Sequence, residues 1–222
     1  AALLGVSMWL AFKLRPIYIK SASPQDIFGP YRESINQLRK GIIFGVPLIF
    51  GIIGGIASSA YWDQAMLFLN AVPTTAQDAQ FNLEVSFYLF KLPFWISLVA
   101  FVSTALFLSA LATALIHLFT GAIRFNGRGV NLSRGASVQL GVTTALFFAS
   151  QAVSLWLDQY ATLTSPSGLY TGATFADVNA TIPGLQIMAG IALLVAVLFL
   201  VSAFIGRWKL PILGTGLMLI SA

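Results

Sequence analysis

The chain has 222 residues, of which 58% are apolar and only 9% are charged. A soluble domain averages about 45–50% apolar and about 25% charged residues, so this composition excludes an ordinary water-soluble domain and requires lipid as the solvent of much of the surface. The net charge is +5, but the basic residues lie at the ends of apolar runs, which is typical of membrane topology rather than of nucleic-acid binding. No cysteine is present, which excludes disulfides and thiolate metal sites within the chain.

Six apolar segments follow one another along the chain. Segments B to E are long enough to form tilted membrane-spanning helices. A backbone in lipid must satisfy its own hydrogen bonds, which favours helices over open strands, so we predict an all-α, polytopic transmembrane helix bundle. Because segments A and F are apolar up to the chain ends, we expect a larger protein to continue in both directions. The segments are A (1–12), B (41–62), C (94–119), D (136–157), E (184–205) and F (210–222).

Positive charge alternates from gap to gap and predicts the orientation of the bundle. Eleven of the twelve Lys and Arg residues lie in gaps 13–40, 120–135 and 206–209, and the positive-inside rule makes these gaps cytoplasmic. Gaps 63–93 and 158–183 are then extracytoplasmic. The predicted location is the cell (plasma) membrane, which the chain crosses several times.

The end of gap 13–40 shows helical periodicity. The residues of its one apolar face are Tyr31, Ile35, Leu38 and Ile42. We interpret this stretch as a surface helix that leads into segment B. The favoured role is a connector lying against the membrane, and lipid or partner binding is the alternative.

Segment B is rich in glycine. Two pairs have the G-x-x-x-G spacing that lets membrane helices approach closely; they are Gly41 with Gly45, and Gly51 with Gly55. We predict that these glycines pack against another helix. A stripe of small residues in segment C is suited to receive segment B or a partner helix, and consists of Ala105, Ser109 and Thr113. Pro47 is expected to kink segment B, which leaves open a broken helix that forms a substrate site.

Few residues in the segments can carry chemistry. Segments B to E contain no Asp, Glu, Lys or Arg, which disfavours an ion-coupled transporter built from this region alone. His117 is the only histidine and would serve as a proton-linked switch or an axial ligand to a partner's cofactor. The favoured interpretation is a helix-end residue that reaches lipid headgroups. No catalytic, metal or cofactor-binding residue is predicted.

Charged residues in the gaps offer two further candidates. Arg124, Arg128 and Arg134 alternate with glycines and could contact an anionic lipid, although a simple positive-inside turn is favoured. Asp158 and Asp177 could form an acid–base pair or bind a cation. Capping and interfacial solvation are favoured for these carboxylates, with Asp177 capping the turn into segment E.

Several strings in order along the chain resemble an uncharacterised protein family, number 0182, of large actinobacterial membrane proteins. They include Asp78-Ala-Gln-Phe81, Ser86-Phe-Tyr-Leu-Phe90, Leu132-Ser-Arg134, Trp156-Leu-Asp-Gln-Tyr160 and Trp208-Lys-Leu-Pro211. The resemblance implies seven membrane helices followed by an extracytoplasmic C-terminal region. Segments A to F would be the second to seventh helices. The resemblance implies no activity for any residue.

Three functions follow from these patterns. The favoured one is non-enzymatic: a membrane anchor or scaffold, or an accessory subunit of a larger cell-envelope complex, whose partners are the lipid bilayer and other membrane subunits. The alternative is a transporter of a lipid or envelope precursor. The third is catalysis at the outer face by Asp158, Asp177 or Glu84. Binding of nucleic acid or of a cofactor is not expected.

Overall fold

The fold is known from a computed structural model, which describes residues 1–14, 31–126, 129–165, 172–206, 214–216 and 218. Helices dominate these residues, so the predicted all-α bundle is confirmed. The helices are α1 (Ala2–Lys13), α2 (Tyr31–Gln37), α3 (Arg39–Ser58), α4 (Trp62–Leu69), α5 (Leu92–Phe119), α6 (Arg134–Ala161) and α7 (Ile182–Ile205). Segments B to E correspond to α3, α5, α6 and α7, whereas most of segment F lies outside the described residues.

Among the described residues, four helical stretches are long and apolar enough to cross a membrane, which supports the membrane-protein assignment. They are Arg39–Leu69, Phe87–Phe119, Arg134–Thr164 and Asp177–Ile205. Helix α1 is a shorter apolar helix. The orientation in the membrane stays a prediction.

A short β-hairpin joins α5 to α6, a feature that the sequence analysis did not predict. Strands β1 (Ile123–Asn126) and β2 (Gly129–Leu132) pair antiparallel, and Arg124 lies opposite Asn131. Ser133 then caps α6, because its Oγ accepts a hydrogen bond from the backbone N–H of Ala136 at 3.3 Å. We call this end of the bundle the hairpin end, which the charge pattern predicts to be cytoplasmic, and the opposite end, with residues 70–86, the loop end.

The tightest helix contact joins α6 to α7. A methyl group added at Gly141 would lie 3.0 Å from Cα of Ala203 and 3.2 Å from the carbonyl oxygen of Phe199. Along the same interface the rings of Phe148 and Phe199 stack, with their centroids 5.4 Å apart. Gly141 therefore allows the close approach that the sequence analysis expected of the glycines in segment B.

Helix α3 has one packed face and one open face. Pro47 packs against Gly5 of α1, where an added methyl group would lie 3.6 Å from the proline Cγ. The helix continues through Pro47 from Arg39 to Ser58, so the broken-helix alternative is wrong. On the predicted apolar face of the connection from α2, Leu38 is 62% exposed at the turn between the two helices. Ile35 and Ile42 do pack against the α1 core.

Candidate functional site

A buried polar cluster ties α1, α5 and α6 together. The imidazole Nε2 of His117 lies 3.0 Å from Oε1 of Gln139. The Gln139 amide nitrogen donates to the carbonyl oxygen of Ser7 at 2.7 Å. The hydroxyl groups of Ser7 and Thr113 are 2.7 Å apart. Thr113 and His117 are one helical turn apart and therefore present their polar groups on the same face of α5.

His117 is fully buried, so the expectation that it reaches lipid headgroups is wrong. Because the Gln139 nitrogen donates to Ser7, its oxygen is assigned as the acceptor from His117 Nε2–H. This tautomer leaves His117 Nδ1 as a hydrogen-bond acceptor, and that atom has no partner among the described residues. The hydroxyl of Ser109, two turns away on α5, is likewise buried and without a partner there.

The cluster is suited to holding helices together rather than to metal chemistry. In the described part of the chain, no group of three His, Cys, Asp or Glu side chains could hold a metal ion. Polar bonds between membrane helices stabilise association by about 0.6 kcal/mol each on average. Thr113, one residue of the small-residue stripe of segment C, meets Ser7 of α1.

One stripe of α3 is largely open among the described residues. The stripe, called here the glycine seam, consists of Gly41, Gly45, Leu48, Ile52 and Gly55. A methyl group added at any of its three glycines would meet no described residue within 4 Å, apart from the helix's own backbone and adjacent residues. Leu48 is 62% exposed and Ile52 is 56% exposed. Gly51, the fourth predicted packing glycine, lies outside the seam and faces Ala1.

The predicted basic cluster is divided. Arg124 donates from Nε to the carbonyl oxygen of Gly121 at 3.2 Å, and Arg128 lies outside the described residues. Arg134 lines a cavity of about 340 Å³ between residues 131–137 and residues 203–206. The structure therefore places one of the three arginines at a concave site.

Two of the three carboxylates considered for catalysis at the predicted outer face accept hydrogen bonds from residues close to them in sequence. Asp177 accepts hydrogen bonds from the backbone N–H and the hydroxyl of Thr174, both at 2.8 Å, and from the Thr181 hydroxyl at 3.1 Å. This is the capping arrangement favoured for Asp177. Asp158 is half-buried near the end of α6, and Glu84 accepts from the Ser86 hydroxyl at 3.0 Å.

The loop end is organised by Asp78, whose role the sequence analysis missed. Burial alone raises the pKa of this carboxyl group, but four donors outweigh that effect and hold the pKa below its ordinary value of 3.8. The donors are the backbone N–H groups of Gln80, Phe81 and Leu83 and the hydroxyl of Tyr88, at 2.6–2.9 Å. Asp78 therefore fixes the loop that leads into α5.

Comparison with known proteins identifies the chain's relatives. The model of the Uncharacterised protein family (UPF0182) matches residues 1–222. The chain belongs to this family. UPF0182 proteins of Kocuria rhizophila and Clavibacter sepedonicus are 44% and 42% identical to it, over 100% and 98% of the chain. In each case the match covers 22% of the relative, so the chain spans about a fifth of their length. A UPF0182 protein of Tropheryma whipplei is 39% identical over 99% of the chain and 23% of its own length. No solved structure matches the chain.

The strings that resemble UPF0182 have structural roles in this chain. Phe81, which ends the first string, packs its ring against Tyr160 with centroids 4.8 Å apart. Phe87 contacts the same tyrosine at 5.5 Å. Edge-to-face contacts of this kind stabilise a fold beyond simple area burial. The UPF0182 strings therefore join the loop end of the bundle to the end of α6.

Proposed function

We propose that this part of the UPF0182 protein is a membrane-embedded assembly scaffold. Its glycine seam on α3 would receive a transmembrane helix of a separate subunit. The observation that carries the proposal is the open seam itself. Its residues recur at intervals of four and three along α3, the spacing with which one helix contacts another.

The burial of α3 supports this proposal. Only 6% of its apolar window is buried within the bundle, whereas the other three spans have 28%, 28% and 39%. Lipid alone would be satisfied by any apolar face, so leucine would suffice at the three glycine positions. Glycine exposes the backbone and lets a second helix approach closely, which is how helices associate when water provides no driving force.

The non-enzymatic character of the scaffold is part of the proposal. Among the described carboxylates, Asp78, Glu84 and Asp177 accept hydrogen bonds from their own loops, which is a structural use. The buried His117 is bonded to Gln139. These engagements favour assembly over chemistry at the loop end.

The test is purification of the full-length protein from its native membrane into nanodiscs, followed by mass spectrometry. Gly45→Leu fills the middle of the seam, and Gly190→Leu makes the same change on α7, where an added methyl group also meets nothing among the described residues within 4 Å. We expect a stoichiometric partner with the wild type and with Gly190→Leu, and its loss with Gly45→Leu.

Two outcomes would contradict the scaffold proposal. One is a wild-type protein that purifies with no partner above background. The other is a Gly45→Leu protein that keeps its partner. A cysteine introduced at Gly45 identifies the occupant directly in a full-length protein from which any other cysteine has been removed; the 222-residue chain has none of its own. Cross-linking to another part of the same protein, or to a second copy, would replace the separate subunit as the occupant.

Transport of a lipid is the second candidate, and the cavity at the hairpin end is the observation that favours it. A cavity between α6 and α7 offers an entry point at one end of the bundle. Transport predicts that a deletion strain accumulates the cargo. Unchanged envelope lipids in that strain would count against it.

A further inference from the structure

The cavity at the hairpin end combines a cation, polar groups and apolar surface. It has a volume of about 340 Å³ and lies where α6 begins and α7 ends. Sites for small ligands have volumes of about 300–1,000 Å³ and contain a few polar groups among apolar ones. The cavity is therefore large enough for a headgroup or a small anion.

Its positive side is formed by the start of α6. Arg134 is the first residue of a 28-residue helix, and its side chain is exposed at the cavity. The Ser133 hydroxyl already satisfies the N–H of Ala136, but the helix dipole still adds positive potential at this end. A planar guanidinium binds two oxygens of one phosphate at once. Arg134 and the helix start thus favour a phosphate group.

The β-hairpin brings a second arginine close to the same wall. Asn131 lines the cavity, and Arg124 lies directly opposite it on the neighbouring strand. Side chains of directly opposed residues in an antiparallel pair lie on the same face. The positive charge therefore extends beyond Arg134 itself.

The remaining wall is apolar. Phe204 and Ile205 line the cavity and are 67% and 63% exposed. A free anion would gain nothing from these side chains, whereas an amphipathic ligand would cover them. The hairpin end is also the end that the charge pattern predicts to face the cytoplasmic leaflet, which holds anionic lipids.

We infer that this cavity binds the phosphate headgroup of an anionic phospholipid. The phosphate lies against Arg134 and the start of α6, and the acyl chains leave along Phe204 and Ile205. This inference does not depend on the scaffold proposal, because the glycine seam is on a different helix. It gives Arg134 a specific ligand class rather than a general attraction to the membrane.

The test uses the full-length protein in neutral detergent, with phosphatidylglycerol, phosphatidylcholine or inorganic phosphate added separately and binding measured by native mass spectrometry and thermal shift. Arg134→Gln removes the cation at the cavity. Lys40→Gln is the control, because it removes a charge near the start of α3, away from the cavity lining. All three proteins should melt at the same temperature without lipid.

We expect phosphatidylglycerol to bind the wild type and Lys40→Gln equally, within about twofold. Loss of a charge-assisted hydrogen bond, about 1.5–3 kcal/mol, should weaken binding to Arg134→Gln by about tenfold or more. Equal binding to all three proteins, or an equal loss in both variants, would overturn the inference. So would a preference for phosphatidylcholine. If inorganic phosphate stabilised the wild type to the same extent as phosphatidylglycerol, the site would still bind phosphate, but a lipid would be excluded as its specific ligand.

A second measurement needs no variant. A photoactivatable phosphatidylglycerol should cross-link the wild-type protein at residues 131–137 or 203–206. Cross-links confined to other residues would contradict the assignment, even if Arg134→Gln failed to fold.

Discussion

The close contact at Gly141 predicts that a glycine-to-alanine substitution there will lower stability more than the same substitution at an open glycine. Gly141→Ala places a methyl group against Ala203, 3.0 Å from its Cα, although carbon atoms prefer separations of about 3.5–4.0 Å. The two helices must therefore move apart by about half an ångström or more. Overpacking of this kind costs about 1–3 kcal/mol.

Gly190→Ala is the matched control for this prediction. Gly190 lies inside α7. Apart from the helix's own backbone and the adjacent residues, a methyl group added there would meet no described residue within 4 Å. Both variants gain the helix propensity of alanine, about 1 kcal/mol, so that gain cancels in the comparison. Gly141→Ala should be less stable than Gly190→Ala by about 1–3 kcal/mol.

The assay is unfolding in mixed detergent micelles at increasing mole fractions of sodium dodecyl sulfate, followed by circular dichroism. Far-ultraviolet ellipticity reports the loss of helix, and the midpoints of the two variants are compared with that of the wild type. If the two variants had equal free energies of unfolding, the close contact between α6 and α7 would have no energetic weight and the reasoning would fail.

Two further predictions concern the polar groups. Because the folded-state pKa of Asp78 lies below 3.8, its carboxylate stabilises the protein above that pH and ceases to do so as the pH falls through the folded pKa. Asp78→Asn should lower the melting temperature at neutral pH and make the melting temperature less dependent on pH in the acidic range. An unchanged melting temperature at neutral pH would contradict this prediction. Alanine at His117 and at Gln139, singly and together, should show a coupling free energy of about 0.6 kcal/mol and at most about 1.7 kcal/mol, and strict additivity would refute their bond.

The spanning helices could be predicted from the sequence because their length and apolar character are local properties. Their packing partners could not, because side chains that face lipid are as apolar as those that face a helix. Helix α7 shows this: Phe199 is buried and Phe204 is 67% exposed. In a soluble protein the same two positions would differ in polarity.

The glycines illustrate a second limit of the sequence. The G-x-x-x-G spacing indicates a surface that helices can approach, but it does not identify the approaching helix. Gly51 faces Ala1, whereas Gly41 and Gly45 face no described residue. The closest contact is at Gly141. Gly141 and Ala145 are two small residues four positions apart, a weaker form of the G-x-x-x-G pattern.

The buried polar cluster around His117 could be predicted only in part from the sequence. Ser109, Thr113 and His117 recur every four residues on α5, so three polar groups share one face of an apolar helix. The stripe was predicted to end at Thr113. Its partners lie on α1 and α6, at Ser7 and Gln139, and spacing within one helix cannot reveal a contact with another.

The bond between Ser7 and Gln139 also sets an order for biogenesis. The two residues are 132 positions apart, and at about 5–20 residues per second the ribosome needs roughly 7–26 s to make the intervening chain. Until then α1 waits in the membrane, and His117 is synthesised before the glutamine that accepts a hydrogen bond from its Nε2–H. The Ser7 carbonyl oxygen and the His117 imidazole therefore lack their partner for seconds, and slowing translation between α5 and α6 would lengthen that interval.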